Sequence, residues 1–460
     1  MKTNKRIIYV LIVISAMFLA LLSYLLYFNM FQADKIAANP YNRRQWDDEK
    51  YVTRGTIYDA DGLVLAETVS RDGGENERVY SQGRLYSHII GYYSQLYGKS
   101  LLESEFDSYL LGKGDLSIFQ GDKRRGFDLN LTVKNSLQKY AYEQMRGKRG
   151  ALVALDPNDG RVLAMVSLPD FDPSAAALEK EWNGIVEDEN SPLLARAIQG
   201  LYPPGSTYKV VTAAAAYENG MTGREFSDTG SFTKGSVTVY NYGKKKYGDI
   251  TLERGFQVSS NQVFCTVGYE LGAEKMMDIS KRFGVETDPE FDLQMSKSVI
   301  QYKKMTDTDS ALVAIGQGQL LVTPMEMAQV CAAAANGGEI LRPYIVDSVK
   351  KNDTVSIYEG KKKVIGRAVS TDCADYLKEQ MIEVVKNGTG TNARINGVTV
   401  AGKTGTAENE TNKDHAWFIG FAPAEAPEIA VAVILEYDGR SGGESAAPIA
   451  RNVMSKYLGE

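Results

Sequence analysis

Serine and lysine, rather than histidine, carry the chemical promise of this chain. It has two histidines in 460 residues, His88 and His415. A Ser-His-Asp hydrolase or a multi-histidine metal site would have to use one of them, and no H-E-x-x-H occurs. Cys265, Cys331 and Cys373 lie far apart, which is neither a disulfide framework nor a zinc pattern. A serine nucleophile therefore needs another base. Lysine can serve when desolvation or a second cation lowers its pKa towards neutrality. Serine and lysine one helical turn apart, S-x-x-K, project from one face and can meet.

Four such pairs occur: Ser136-Lys139, Ser206-Lys209, Ser231-Lys234 and Ser348-Lys351. Context separates them. Ser136 lies inside an amphipathic helical pattern and reads as a solvated surface residue. Ser231 falls between Gly230 and Gly235 and reads as loop. Ser348 precedes a charged run. Only Ser206 follows Tyr202-Pro-Pro-Gly205 and opens an apolar helix. A helix N-terminus offers free N–H groups and positive potential, which favour an attacking oxygen and a developing oxyanion. The plain alternative is an N-cap serine. Two later motifs break the tie. Ser259-Ser-Asn261 is an S-x-N running into a helical pattern. Lys403-Thr-Gly405-Thr406 follows a strand pattern at Val398-Thr-Val-Ala401, where Gly405 would let backbone approach a substrate closely. Each is weak alone, since Asn261 could be a cap and Lys403 a solvated strand end. The ordered set S-x-x-K, S-x-N, K-T-G is specific.

The elements that must position these groups are legible in outline. Gly150-Ala-Leu-Val-Ala-Leu155 and Arg161-Val-Leu-Ala-Met-Val-Ser167 read as strands separated by the turn Asp156-Pro-Asn-Asp-Gly160. Residues 396–402, 415–421 and 428–436 read as strands, and 445–458 as a closing helix. The stretch between the two sheet regions reads as mostly helical. Residues 210–217 are stopped by Asn219-Gly220, and 323–336 by Gly337-Gly338. The expectation is an α+β domain, an antiparallel sheet made from both ends with a helical insertion. Residues 132–145 read as an amphipathic helix before it.

Composition narrows the class. Hydrophobic residues are 43% and charged residues 24%, which excludes wholesale disorder and a polytopic membrane protein. The formal charge of -6 leaves no basic surplus for phosphates, so nucleic acid is not an expected partner. Residues 7–28 carry no formal charge and as a helix would span about 33 Å, enough to cross a bilayer. Lys2, Lys5 and Arg6 precede them and place the N-terminus in the cytoplasm; Lys35, Arg43 and Arg44 beyond weaken that orientation without reversing it. Tyr24, Tyr27, Phe28 and Phe31 suit an interfacial anchor. A cleaved signal peptide would have a shorter apolar region and an A-x-A site. The reading is an uncleaved single-pass anchor with the rest outside the cytoplasm. Three units follow: 1–29 cytoplasmic tip and anchor, 30–147 a pedestal, 148–460 the domain with the motifs. Asn130-Leu-Thr132 and Asn409-Glu-Thr411 match a glycosylation pattern and are taken as chance.

The motif set resembles that of the penicillin-binding proteins, and from about residue 50 onward the chain is similar to the monofunctional class B transpeptidases. Arg54-Gly-Thr-Ile-Tyr-Asp-Ala-Asp-Gly62 with Leu65-Ala66 looks like the segment that opens the family after its anchor. Gly98-Lys-Ser-Leu-Leu-Glu103 through Gly112 looks like its G-x-x-G-L-E segment, with Leu101 where glycine is usual. Gly318-Gln-Leu-Leu-Val-Thr-Pro324 and Trp417-Phe-Ile-Gly420 match further segments.

The resemblance implies a penicillin-binding-protein/β-lactamase-like transpeptidase fold on a small mixed, dimerisation-like pedestal. It implies Ser206 as the acylated nucleophile and Lys209 as its base. Ser259 would relay a proton to the leaving amine, and Lys403 would hold a positive potential nearby. Asn261 would bind the substrate amide, and Thr404 and Thr406, flanking Gly405, a carboxylate. Backbone N–H groups of Ser206 and Thr406 would form the oxyanion hole. The implied substrates are peptidoglycan stem peptides, a D-Ala-D-Ala donor and an amine acceptor, with β-lactams as covalent inhibitors. No metal or cofactor is called for; a glycosyltransferase would be a partner. A D,D-carboxypeptidase shares the acyl-enzyme. A class A β-lactamase would need an E-x-x-L-N between Asn261 and Lys403, and none is present. A bifunctional enzyme would need a glycosyltransferase domain, for which about 120 residues are too few. A β-lactam sensor would carry several spans, and a scaffold would tolerate loss of Ser206 or Lys209.

Overall fold

The computed structural model describes residues 2–32, 52–70, 76–112, 125–352, 355–409 and 413–459. Lys35, Arg43, Arg44 and Thr411 lie outside the described residues. The apolar N-terminal run forms helix α1 (Lys2–Phe31), whose spanning window has no side chain buried against protein.

In chain order the positioning elements are β1 (Ile57–Tyr58), β2 (Val64–Ser70), β3 (Asn76–Tyr80), α2 (Leu101–Glu105), β4 (Asp128–Leu131), α3 (Asn135–Met145), β5 (Gly150–Leu155) and β6 (Val162–Leu168). Then come α4 (Lys209–Glu218), α5 (Asn261–Arg282), α6 (Pro324–Ala335), β7 (Val346–Asn352), β8 (Val355–Glu359), α7 (Thr371–Asn387), β9 (Ala401–Ala407), β10 (His415–Ala422), β11 (Ile429–Leu435) and α8 (Gly442–Leu458).

The catalytic-motif sheet has the order β9-β10-β11-β5-β6, antiparallel throughout. Both its faces are covered, so its strands read as continuous apolar runs rather than alternating ones. Alternate residues still go to opposite faces. Leu152, Ala154, Phe418, Val431 and Val433 pack with α3 and α8. Val153, Leu155, Trp417, Ile419, Ala432 and Ile434 join the larger core that includes α4, α5 and α6. The sheet from both chain ends with helices inserted between them is therefore observed.

The insertion is not only helical. Strands β7 and β8 leave it and complete a second sheet of order β8-β7-β4-β1-β2-β3, in which β1 and β4 run parallel. Two local expectations also need correction. The strand expected at 396–402 starts at Ala401 and carries Lys403 to Thr406 in its interior. Gly397, at φ +76, instead allows a tight turn that closes with an Ile395–Val398 bridge. Ser231 is not in a loop but begins a hairpin, Ser231–Lys234 with Val237–Tyr240, turned at Gly235. Leu101 adopts φ +49 at the entry to α2, which accounts for the glycine usual at that position.

Two buried charges show how the interior is held. Glu103 is fully buried and receives Arg54 Nε at 2.6 Å and Arg78 Nε at 2.7 Å. Burial alone would raise its carboxyl, yet Arg78 and Arg54 hold it below the usual range. Glu326, in the first turn of α6, has no side-chain hydrogen bond or ion pair among the described residues. Burial pushes its carboxyl up to about 8. A folded value above the unfolded one gives stability that is fully present below the unfolded pKa of about 4.3 and is lost as pH rises through about 8. Glu326→Gln should flatten that loss. Urea midpoints of both proteins at pH 5 and 8 should show the wild type losing the larger share of its stability.

Candidate active site

Ser206 sits in the 3-10 turn Gly205–Tyr208, which runs directly into α4. The expected plain α-helical start is thus a tighter turn, which brings residues three apart into line. The chain leading to it is fixed on several sides. Tyr202 N–H donates to the Val322 carbonyl at 2.9 Å, and Val322 N–H returns the bond at 2.9 Å. Trp417 Nε1 donates to the Pro203 carbonyl at 3.0 Å. Thr207 Oγ1 donates to the Pro204 carbonyl at 2.7 Å. Gly205 has φ +54 and its N–H donates to Gly316 at 2.9 Å. A Cβ on Gly316 would stand 2.0 Å from the Gly205 oxygen, so the approach needs a glycine.

Lys209 follows one turn later and is wholly buried. Its Nζ donates to Asn261 Oδ1 at 2.7 Å, to the Ser259 carbonyl at 2.9 Å and to Ser259 Oγ at 3.2 Å. Lys403, also wholly buried, donates to the same Ser259 Oγ at 2.9 Å and to the Thr404 carbonyl at 3.0 Å. The three motifs, dispersed over 198 residues of sequence from Ser206 to Lys403, therefore meet around one hydroxyl. Burial lowers the Lys209 ammonium to about 7. Burial, and then the neighbouring Lys209 charge, lower Lys403 well below its ordinary value. Phe264 and Phe256 rings face the two ammonium groups at 5.6 Å each. Such contacts exclude water without removing charge density. Two buried amines that share the Ser259 hydroxyl can exchange a proton through it.

Strand β9 supplies the remaining residues. Thr404 Oγ1 and Thr389 Oγ1 share a hydrogen bond of 2.6 Å. Gly405 packs against the turn that holds Ser206: a Cβ there would lie 2.9 Å from Thr207 Cγ2 and 3.0 Å from the Pro204 oxygen. The close approach it allows in this structure is between protein segments, where the sequence suggested substrate. Ser206, Ser259, Asn261, Thr404 and Thr406 all line one cleft of about 900 Å³. The hairpin residues Val237 to Tyr240 roof it. Ser136 is exposed on α3, Ser231 is in the hairpin and Ser348 is in β7; none of them lines the cleft.

Sequence reasoning missed the residues that hold Ser259. Ser259 has φ +59, a conformation that costs a non-glycine residue roughly 1–3 kcal/mol. Ser260 caps α5 by accepting from Val263 N–H at 3.1 Å, and its hydroxyl donates to Asp228 Oδ2 at 2.6 Å. Asn241 Nδ2 donates to both Asp228 oxygens, at 2.8 and 3.0 Å. Asn261 Nδ2 donates to the Tyr240 carbonyl at 2.9 Å. The capping pattern at Ser260 was available in the sequence; Asp228 and Asn241 have no motif spacing to mark them.

Comparison with known proteins agrees with this geometry. The model of the penicillin binding protein transpeptidase domain matches residues 150–455, and that of the penicillin binding protein A dimerisation domain matches 54–124. The chain belongs to the penicillin-binding protein family. This penicillin-binding protein is 35% identical to the peptidoglycan D,D-transpeptidase PbpA of Mycolicibacterium smegmatis, over 94% of each chain. It is 29% identical to the peptidoglycan D,D-transpeptidase MrdA of Acinetobacter baumannii, over 83% of this chain and 66% of the relative. Its structure is similar to penicillin-binding protein A of Mycobacterium tuberculosis in a ceftriaxone acyl-enzyme complex (TM-score 0.84, 33% identity, 89% of this chain and 99% of that one). It is also similar to the D,D-transpeptidase domain of a peptidoglycan glycosyltransferase from Eggerthella lenta (TM-score 0.81, 36% identity, 89% and 99%). The class B transpeptidase resemblance seen in the motifs is confirmed.

Ser260→Ala in this penicillin-binding protein removes a helix cap and one partner of a buried carboxylate. It should lower stability by about 1–3 kcal/mol, read as a lower urea midpoint. Covalent labelling of the protein by a fluorescent penicillin should slow as the Ser259 conformation loosens.

Proposed function

We propose that the protein is a membrane-anchored peptidoglycan D,D-transpeptidase working through a Ser206 acyl-enzyme. The observation that carries this is the buried Lys209 amine, near neutrality, one turn from Ser206 and joined through Ser259 to Lys403. Ser206 Oγ attacks the carbonyl of the penultimate D-Ala of a stem peptide, and its proton goes to neutral Lys209. The oxyanion is met by the backbone N–H groups of Ser206 and Thr406. Lys209 passes a proton through the Ser259 hydroxyl to the amide nitrogen, the C–N bond breaks and D-Ala leaves as the amine. Lys403 keeps the potential positive. Asn261 binds the donor amide, and Thr404 and Thr406, either side of Gly405, take its terminal carboxylate. An amine of a second stem peptide then attacks the ester, its proton returns to the Ser206 oxygen, and a new amide remains. β-Lactams present the same carbonyl and acylate Ser206.

The apolar helix α1 supports an anchor, with Lys5 and Arg6 at its start on the cytoplasmic side and the catalytic unit outside. Residues 1–29 serve as tip and anchor, 30–147 as pedestal and 148–460 as transpeptidase unit, with a glycosyltransferase as working partner.

Incubation with a fluorescent penicillin should leave a stable label on the wild type and none on Ser206→Ala. Rapid turnover of the penicillin with no lasting adduct would replace the transpeptidase reading with a β-lactamase. Lys209→Arg keeps the charge but holds its pKa above about 12, so acylation should fall by roughly 10²–10⁴-fold in a folded protein. The base must be neutral to act. The wild-type acylation rate should therefore rise with pH through about 7 and level off above it, as stopped-flow measurements between pH 5 and 9 would show.

A further inference from the structure

Asp228 ends the strand Glu225–Asp228 and is buried, with 2% of its surface exposed. Its carboxyl takes four hydrogen bonds. Oδ1 accepts from Gly230 N–H at 2.9 Å and from Asn241 Nδ2 at 2.8 Å; Oδ2 accepts from Ser260 Oγ at 2.6 Å and from Asn241 Nδ2 at 3.0 Å. Every partner is a donor, the pattern of an ionised carboxylate, which can only accept. Yet no lysine, arginine or histidine forms an ion pair with it among the described residues. The converse holds for Lys209 and Lys403. Both are buried, they share Ser259 Oγ, and neither has an ion pair among the described residues. One short segment, residues 259–261, joins the buried anion to the buried amines. Ser260 donates to Asp228, while Ser259 and Asn261 accept from Lys209. Asn241 adds a second link, because the Tyr240 carbonyl before it receives Asn261 Nδ2.

We propose that Asp228 is the counter-charge of the buried amine pair, a positioning residue that acts on Lys209 and Lys403 through segment 259–261 and through its own charge. This deepens the transpeptidase reading and rests on it. In a poorly solvated interior such a group costs least when its charges sum to zero. With Asp228 ionised, that sum is reached with one ammonium and one neutral amine. The proposed acylation starts from this state, with a neutral Lys209 to take the Ser206 proton and a positive Lys403 beside Ser259. Without the carboxylate, the uncharged state has both amines bare, and the positive potential of Lys403 goes with its proton. The other groups facing these residues leave the role to Asp228. Cys265, on α5, faces Lys209, but burial pushes its thiol up to about 12, so it is uncharged near neutrality. Tyr247 faces Asp228, and its phenol is raised by burial and then by Asp228. Lys244, Lys245 and Lys246 follow Asn241 on an exposed loop, where water and salt screen them.

The test follows the rate of penicillin acylation of the full-length protein between pH 5 and 9, in the wild type, Asp228→Asn, Ser260→Ala and Cys265→Ala. The wild-type rate should have its midpoint at about 7. An opposite charge in contact shifts a titrating group by about 1–3 units, and Asp228 acts from beyond contact. Asp228→Asn should therefore move the midpoint down by about 0.5–1 unit. Ser260→Ala removes a bond and keeps the charge, so its rate should fall while its midpoint stays. A purely structural role would lower the rate of Asp228→Asn and leave its midpoint unmoved, and that result would overturn the proposal. Cys265 lies in the apolar core, and Cys265→Ala should leave the midpoint in place. A downward shift there would make the thiol the counter-charge and overturn the proposal, even where Asp228→Asn does not fold. Absence of a stable penicillin label on the wild type would defeat the transpeptidase reading itself, whereas labelling with a midpoint indifferent to Asp228→Asn defeats only the role of Asp228.

Discussion

Two lysine amines bound to one serine hydroxyl set the terms for the rest of this structure. Lys209 and Lys403 both reach Ser259 Oγ, and both are removed from water. Two buried ammonium groups so placed repel each other and lack the solvation that would support them. Both are pushed towards the neutral form, and a neutral amine is what the proposed Ser206 nucleophile needs from a neighbour in a site without a histidine. Elsewhere a buried lysine would be a defect. Here the carbonyls of Ser259 and Thr404 and the Asn261 amide oxygen accept N–H groups of the two amines, and the Phe264 and Phe256 rings lie over them.

Holding two repelling groups in register requires stiff supports, and three parts of the fold supply them. Lys403 lies within β9, clamped by β10 on one side and packed against the Ser206 turn through Gly405. Lys209 opens α4, whose preceding turn is tied to Val322, Gly316 and Trp417. Ser259 is held in a left-handed conformation by the Asp228–Asn241–Ser260 group. Behind the turn, Tyr202 Oη donates to Glu436 Oε1 at 2.6 Å, and Arg196 and Arg149 balance that carboxylate. The buried tyrosine thereby links the sheet to the segment before Ser206.

The two sheets are coupled by an exchange of strands. Residues of β7 and β8 belong in sequence to the stretch between the S-x-N and K-T-G motifs, yet they pair with β4 of the first sheet. Arg342 and the backbone N–H groups of Ile345 and Val346 all reach the Asp292 carboxylate, fixing where the chain leaves the helical part. Residues 128–131 therefore share backbone hydrogen bonds with residues 346–350, far along the chain.

The sequence by itself determined the chemistry class and most of the scaffold. The three motifs, the apolar strands at both ends of the domain, the helix stops at Asn219-Gly220 and Gly337-Gly338 and the long apolar run are local patterns, and local patterns follow from side-chain type and period. Leu101 was legible as an oddity, and its positive φ explains it. Only the tertiary structure decided that Lys209 and Lys403 share Ser259, and that Asp228 and Asn241 brace it. Those facts depend on contacts between residues far apart in sequence, for which spacing carries no signal. It also moved Lys403 from the end of a strand into one, because the turn at Gly397 consumes the residues that had looked like strand. Perturbation of a lysine is decided in the same way: type and spacing nominate it, but burial and a second charge lower its pKa, and both exist only once the chain has folded.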